Sequence, residues 1–232
     1  MYFYGIDPTW LILIPGIVLA MLAQAKVSRA FSRYSAIQSA RGWSGAQVAR
    51  HILDQNGLSN VSIQPIAGSM TDNYNPRRHM LSLSQSVYGS SSLAAVAVAA
   101  HEVGHAVQHQ RNYAPNAIRA ALVPLANIGS FAAWPLLILG IVLSFQPLVY
   151  IGVGVFAAAV LFQLVTLPVE FTASSRALAM LRDGGYLAEE EIIGARQVLS
   201  AAAMTYLAAT LMSVLQLLRL LAIANGGRRR SD

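Results

Sequence analysis

Within the stretch AVAVAAHEVGHAVQH, residues 95–109, two histidines stand four apart, with a glutamate directly after the first. On an α-helix, residues four apart share a face and lie roughly 6 Å apart along the axis. His101 and His105 can therefore aim both imidazoles at one ion. Glu102 is turned roughly 100° from His101, so it does not compete for the ion but can reach a water held there. The bland alternative is a helix that carries polar residues by chance. Three features weigh against it. The helix is strongly apolar, and two imidazoles with a carboxylate are costly there without a partner. The neighbours on both sides are small and uncharged, and Gly104 and Ala106 leave room for a substrate or another helix to approach. The spacing predicts a site for one divalent cation, with Glu102 placed as a base.

A catalytic zinc ion takes three protein ligands and leaves one position for water. The pair therefore needs a third donor, and the chain has no cysteine to supply a thiolate. His109 lies roughly 12 Å from His101 along the axis and could share the ion only if the helix broke, so it is expected on the helix surface. His79 and His51 show no partner pattern and are expected in solvent. Glu170 is the candidate, with a helix-start glutamate favoured by the macrodipole as the alternative. The Glu189-Glu190-Glu191 run reads as a solvated face.

The elements that must position these groups sit in an apolar chain. Of 232 residues, 55% are hydrophobic and 11% charged, well beyond an average soluble domain. Trp10–Ala25 and Ala120–Val169 carry no charge, and Ser200–Ala224 carries only Arg219. Roughly 20 apolar residues cross a bilayer, so residues 120–168 hold a hairpin of two spans. Residues 1–25 read as an anchor rather than a cleaved signal, because Asp7 precedes the span and Lys26, Arg29 and Arg33 follow it. Residues 201–224 form a last apolar helix, either crossing or lying against the bundle, and 225–232 a basic tail. Between the first two apolar regions, residues 26–119 have soluble patterning. Ser44 caps a helix ending at Asn56-Gly57. Val61–Ile66 and Met80–Ser84 alternate as short strands around turn-rich Asp72–Arg77, giving a two- or three-stranded sheet. Ser90-Ser-Ser precedes the helix that carries the histidines. Pro168 is expected to end the third span, with a new helix from Glu170 and another over Ala188–Ser200 filling residues 169–200. The hairpin returns the chain to the face it left, and presents Glu170 there.

These residues lead to a resemblance covering nearly the whole chain. TDNYNPRRHMLSLSQSVY, AAHEVGHAVQH, RNYAPNAIRAALVP, VTLPVEFTASSRAL and AAAMTYLAA resemble the YugP-like membrane zinc metallopeptidases, similar in logic to the broader HtpX-like group. The resemblance implies a mainly α membrane protein with a small β-sheet, a zincin-like core and about three or four transmembrane helices. It implies His101, His105 and Glu170 as ligands of one catalytic Zn2+ and Glu102 as the base. The related group often has Glu-x-x-x-Asp, the aspartate bracing a histidine; here Ser174 stands in that place, so the brace would be a hydroxyl or come from elsewhere.

The expected activity is hydrolysis of peptide bonds in membrane or membrane-proximal proteins. A non-enzymatic, zinc-stabilised membrane scaffold is the alternative, and a transporter a weaker one. Tyr206 and Arg176 are candidates to donate to the developing oxyanion, although Tyr206 reads equally as an interfacial aromatic. The strand Met80–Ser84 could pair with an extended substrate, or be purely structural. The net charge of +6 comes largely from residues flanking the apolar spans, where they meet anionic lipid, so no nucleic-acid partner is implied. By the positive-inside rule the catalytic region is expected on the cytoplasmic side of the cell membrane. The arginines of the tail argue the other way if the last segment crosses.

Overall fold

The structure, a computed structural model, describes residues 8–228. Asp7 and the tail beyond Arg228 lie outside the described residues. A 3-10 turn at Pro8–Leu13 leads into α1 (Ile14–Ser35), followed by α2 (Gly45–Gln55), β1 (Ser62–Ile66), β2 (Asn73–Asn75) and β3 (Met80–Ser84). Then come α3 (Gln85–Tyr88), α4 (Leu93–Gln110), α5 (Ala114–Val142), α6 (Gln146–Asp183) and α7 (Glu189–Arg228). The protein is thus mainly α-helical with one small sheet. Among the described residues, four helices are long and apolar enough to cross a membrane: Pro8–Ser35, Ala114–Val142, Gln146–Asp183 and Glu189–Asn225.

The chain divides into two compact units, one holding the residues through Leu22, Ala117–Leu167 and those from Tyr206, the other Ala23–Asn116 and Pro168–Thr205. In the first, α7 runs antiparallel to α1. A Cβ added at Gly16 would lie 3.1 Å from both Leu215 and Met212. Further along, Arg219 Nε donates to Thr9 Oγ1 at 3.2 Å, and its guanidinium sits 3.9 Å from the Trp10 ring centroid. Gln146 Nε2 donates to the Ala224 carbonyl at 2.7 Å. The start of α1, the α5–α6 turn and the end of α7 therefore share one end of this bundle. α7 runs its length rather than lying across an end.

Three prolines, Pro124, Pro135 and Pro168, sit inside helices. Pro168 does not end the helix, as the sequence suggested. α6 continues through it for a further 15 residues to Asp183. A proline removes one ladder hydrogen bond, but long apolar helices absorb that loss when neighbouring groups and the flanking ladder hold the backbone. Likewise the helix that begins near Ala188 does not stop at Ser200 but is continuous with the last apolar segment as α7. Its start is fastened by Glu191, whose two carboxylate oxygens accept from Ala40 N at 2.7 Å and Ala188 N at 2.8 Å. Glu191 thus caps the helix, while Glu189 and Glu190 beside it are exposed, as the sequence suggested.

In the second unit, local chemistry sets each boundary. Ser44 and Gln47 form a reciprocal capping box at the start of α2, satisfying two amides that the helix cannot. Gly57, at φ +71°, follows the Asn56 cap. The sheet order is β1-β3-β2, with β1 parallel and β2 antiparallel to β3. The stretch Asn73–Asn75, read from sequence as turn, is a strand because it pairs with Met80–Ser82. This placement corrects the expectation that Met80–Ser84 pairs with substrate: β3 is the central strand, its edges taken by β1 and β2. Its serines are buried with its leucines; Ser84 N and Oγ both donate to the Asp72 carboxylate, at 2.7 and 3.1 Å. Pro65, which has no N–H for a ladder, lies on the edge strand β1, where it is tolerated.

α4 runs through the core of this unit. Its N-cap Ser92 accepts from Ala95 N. Ala94, Ala95, Val96, Ala97, Ala99, Ala100, Val103 and Ala106 are fully enclosed, and these small side chains make a slender helix that neighbours can approach from most sides. One such close approach is at Gly104. A Cβ there would lie 2.7 Å from the Ala173 carbonyl oxygen of α6, a contact with rigid backbone. Alanine in place of a helical glycine ordinarily gains about 1 kcal/mol. Gly104→Ala is expected instead to lose about 1–3 kcal/mol through overpacking, and to weaken metal binding by forcing α4 and α6 apart. Melting temperature and a chelator competition on the same preparation check both halves.

Candidate metal centre

The close α4–α6 packing brings three donors together. His101 Nε2 and His105 Nε2 lie 3.1 Å apart, with the rings nearly perpendicular at 87°. Glu170 Oε2, from α6, is 3.3 Å from the first and 3.4 Å from the second. Zinc bonds to nitrogen and carboxylate oxygen of ~2.0–2.2 Å at tetrahedral angles imply ligand atoms roughly 3.3–3.5 Å apart. The three observed separations nearly match that triangle. The Glu170 side chain is 4% exposed and the two imidazoles 14% and 15%, so the triangle is buried at the carboxylate and open at the rings. The ligand-capable atoms of His101, Glu102 and His105 all lie within 4.8 Å of one another. Glu102 is itself buried, at 9% exposure.

The far side of each ring is also held. His101 Nδ1 is 3.1 Å from Ser174 Oγ, the position where the related group often has aspartate. His105 Nδ1 is 3.1 Å from Gln108 Oε1. Gln108 is completely buried and was not singled out from sequence. A glutamine three residues beyond His105 lies on the same helix face, and a polar side chain in so apolar a helix was the available signal. Its Nε2 donates to the Val169 carbonyl at 2.7 Å, which fixes the amide orientation. Oε1 must then accept from His105, so Nδ1 carries the hydrogen and Nε2 keeps its lone pair toward the centre. Electron-pair donors converging this closely repel unless a cation lies among them, either a metal ion or a proton. The donor set, two imidazoles and a carboxylate, fits zinc.

The charge balance shows in His105. Burial favours its neutral ring, but the hydrogen bond and charge of Glu170, the charge of Glu102 and the Gln108 acceptor outweigh it, and its pKa is raised. In the metal-free protein the protonated ring therefore stabilises the fold fully below the ordinary histidine value of ~6.5. That contribution is lost as pH rises through the raised value. Because a proton and a metal compete for the same lone pair, metal affinity is expected to fall with decreasing pH, starting above the ordinary histidine range. Competition titrations at several pH values check this, and an affinity flat across neutral pH contradicts it.

Other candidates lie elsewhere. His109 is exposed, with Nδ1 3.4 Å from the Tyr74 hydroxyl and its ring 5.9 Å from that of His79. His51 stacks on Trp43 at 4.4 Å. Arg176 lies with its guanidinium 6.0 Å from the Tyr113 ring centroid, and its Nε has no hydrogen-bond partner among the described residues. Tyr206 is half-buried on α7 in the bundle unit, where its carbonyl accepts from the Thr210 hydroxyl.

The chain thus combines an H-E-x-x-H helix, a nearby glutamate and helices long and apolar enough to cross a membrane. Residues 9–225 match the family described as "putative neutral zinc metallopeptidase", and the chain belongs to it. A particular relative is the "putative membrane protease YugP" of Bacillus subtilis (strain 168). It is 46% identical over 211 residues, covering 90% of this chain and 93% of that protein. No solved structure matches the chain.

Proposed function

We propose that this protein is a membrane-embedded zinc endopeptidase that cuts membrane or membrane-proximal proteins. The observation that carries the reading is the triangle of His101 Nε2, His105 Nε2 and Glu170 Oε2, with sides of 3.1, 3.3 and 3.4 Å. These three residues would hold one ion. When bound, zinc supplies Lewis acidity and a water acidified towards neutrality. Glu102 would serve as the base, accepting a proton from the attacking water and passing it to the departing amine. Ser174 orients His101 through Nδ1. Tyr206 and Arg176 remain the candidates for the oxyanion donor.

The test uses the full chain in detergent. One zinc per chain, and cleavage of an unstructured protein substrate that chelation abolishes and zinc restores, support the reading. A chain that binds no zinc, or cleavage indifferent to chelation, refutes it. A zinc-stabilised scaffold would bind the ion and cut nothing.

The catalytic unit is proposed to face the cytoplasm, placing the α5–α6 turn on the opposite side. Because the chain has no cysteine, single cysteines report this cleanly. Ser144→Cys, in the turn, is expected to react with an impermeant maleimide on intact cells, whereas Arg77→Cys, between β2 and β3, is expected to react only after permeabilisation. The reverse pattern inverts the topology.

A further inference from the structure

We propose that Gln108 is a positioning residue for the metal centre, holding His105 in one tautomer and tying it to the segment that carries Glu170. The proposal rests on the zinc-site reading and adds a residue to it. Gln108 is fully buried in α4. One end of its amide accepts from His105 Nδ1 at 3.1 Å and the other donates to Val169, immediately before the Pro168-containing turn reaches Glu170, at 2.7 Å. Asn116 Nδ2 also approaches Gln108 Oε1, at 3.5 Å. A neutral imidazole can carry its hydrogen on either nitrogen, and only the Nδ1–H form points a lone pair from Nε2 at the triangle. The amide removes that choice. One bond stays within α4 and the other crosses to α6, so a slide of α6 along α4 that displaces Glu170 also loses the Val169 bond that fixes which end of the amide faces His105.

The brace is neutral on both rings. Ser174 faces His101 Nδ1 and Gln108 faces His105 Nδ1. A ligating histidine is commonly backed by a carboxylate, which raises its basicity as well as orienting it. Here the orientation is supplied without the added charge, so Gln108 and Ser174 leave the positive charge of a bound ion to be balanced by Glu170 alone among these contacts. Replacing Gln108 by glutamate keeps the acceptor for His105, adds charge and removes the donor to Val169.

The test pairs a metal-free measurement with a metal one, on the full chain in detergent. Long-range proton–nitrogen spectra of 15N-histidine protein, at a pH where the rings are neutral, report the tautomer of His105. A chromophoric chelator reports zinc affinity. The parent is expected to show His105 as Nδ1–H. Gln108→Leu is expected to mix the tautomers and weaken zinc binding 10–100-fold, the usual cost of losing an outer partner. Gln108→Glu is expected to keep the Nδ1–H form. A folded Gln108→Leu protein with the parent's tautomer and affinity overturns the proposal. If leucine prevents folding, Gln108→Glu decides: a lost Nδ1–H form overturns it, and a kept one supports it. A parent that binds no zinc refutes the zinc reading, yet the tautomer spectra still judge Gln108, so the two failures are distinguishable.

Discussion

Glu102→Gln is expected to bind one zinc per chain as the parent does and to turn over substrate about 10²–10⁴-fold more slowly, the usual share of a general base. The expectation follows from position. Glu102 follows His101 on α4, and the roughly 100° turn between neighbours sets its carboxylate beside the metal triangle and not at one of its corners. Its donor atom lies within 4.8 Å of the imidazole nitrogens, a separation that one intervening water spans. Glutamine keeps the volume in a site where only 9% of the residue is exposed, so packing is undisturbed while the proton acceptor is gone. The hydrogen-bonded brackets on His101 and His105 do not involve Glu102 and stay in place. Metal content by emission spectroscopy and initial rates on one substrate give the two readouts. Loss of zinc together with rate would make Glu102 a ligand. An unchanged rate would remove it from the chemistry and favour the scaffold.

The parts of the fold that could be read in the sequence are those set by local periodicity. Ser92, the alanine-rich turn after it and Arg111 mark α4 at both ends, and the four-residue interval puts both histidines on one face whatever surrounds them. The four apolar helices are legible for the same reason. What sequence reading misplaces depends on distant partners. Asn73–Asn75 has turn chemistry and becomes a strand only because Met80–Ser82 lies alongside. The apolar-polar alternation of Met80–Ser84 suggested a half-exposed strand, whereas small serines let both faces be buried once Asp72 accepts from Ser84. Pro168 reads as a stop because a proline opposes the helix locally, yet the ladder on either side carries α6 past it. In the candidate site, Glu170 could be nominated from topology, since a hairpin must come back to the face it left. Gln108 left only the trace of a polar side chain in an apolar helix, and its role depends on the Val169 carbonyl 61 residues away.

Glu170→Ala is expected to lower zinc affinity by more than the 10–100-fold that follows loss of an outer partner, because here a corner of the triangle itself is removed. The two imidazoles alone leave the ion with half of a tetrahedral shell. Glu170→Asp separates position from chemistry: the carboxylate survives, but one methylene less withdraws it by ~1.5 Å, while the observed Oε2 distances of 3.3 and 3.4 Å leave little slack around bonds of ~2.0–2.2 Å. Its affinity should fall between parent and alanine. The metal-free proteins give an independent sign. Glu170 is the chief group raising the pKa of His105 against the opposing pull of burial, so without it the pKa falls. The stability that protonated His105 gives the metal-free parent at acidic pH, already present below ~6.5, should then shrink in Glu170→Ala, whereas above the raised value this contribution is absent from both proteins. Melting curves at two pH values on either side of that range test this without metal. If Glu170→Ala binds zinc as tightly as the parent, the third ligand is another residue. If zinc binding collapses while the acid-side stability difference stays unchanged, the carboxylate matters to the ion but does not set the charge of His105, and the coupling argued from their 3.4 Å contact is wrong.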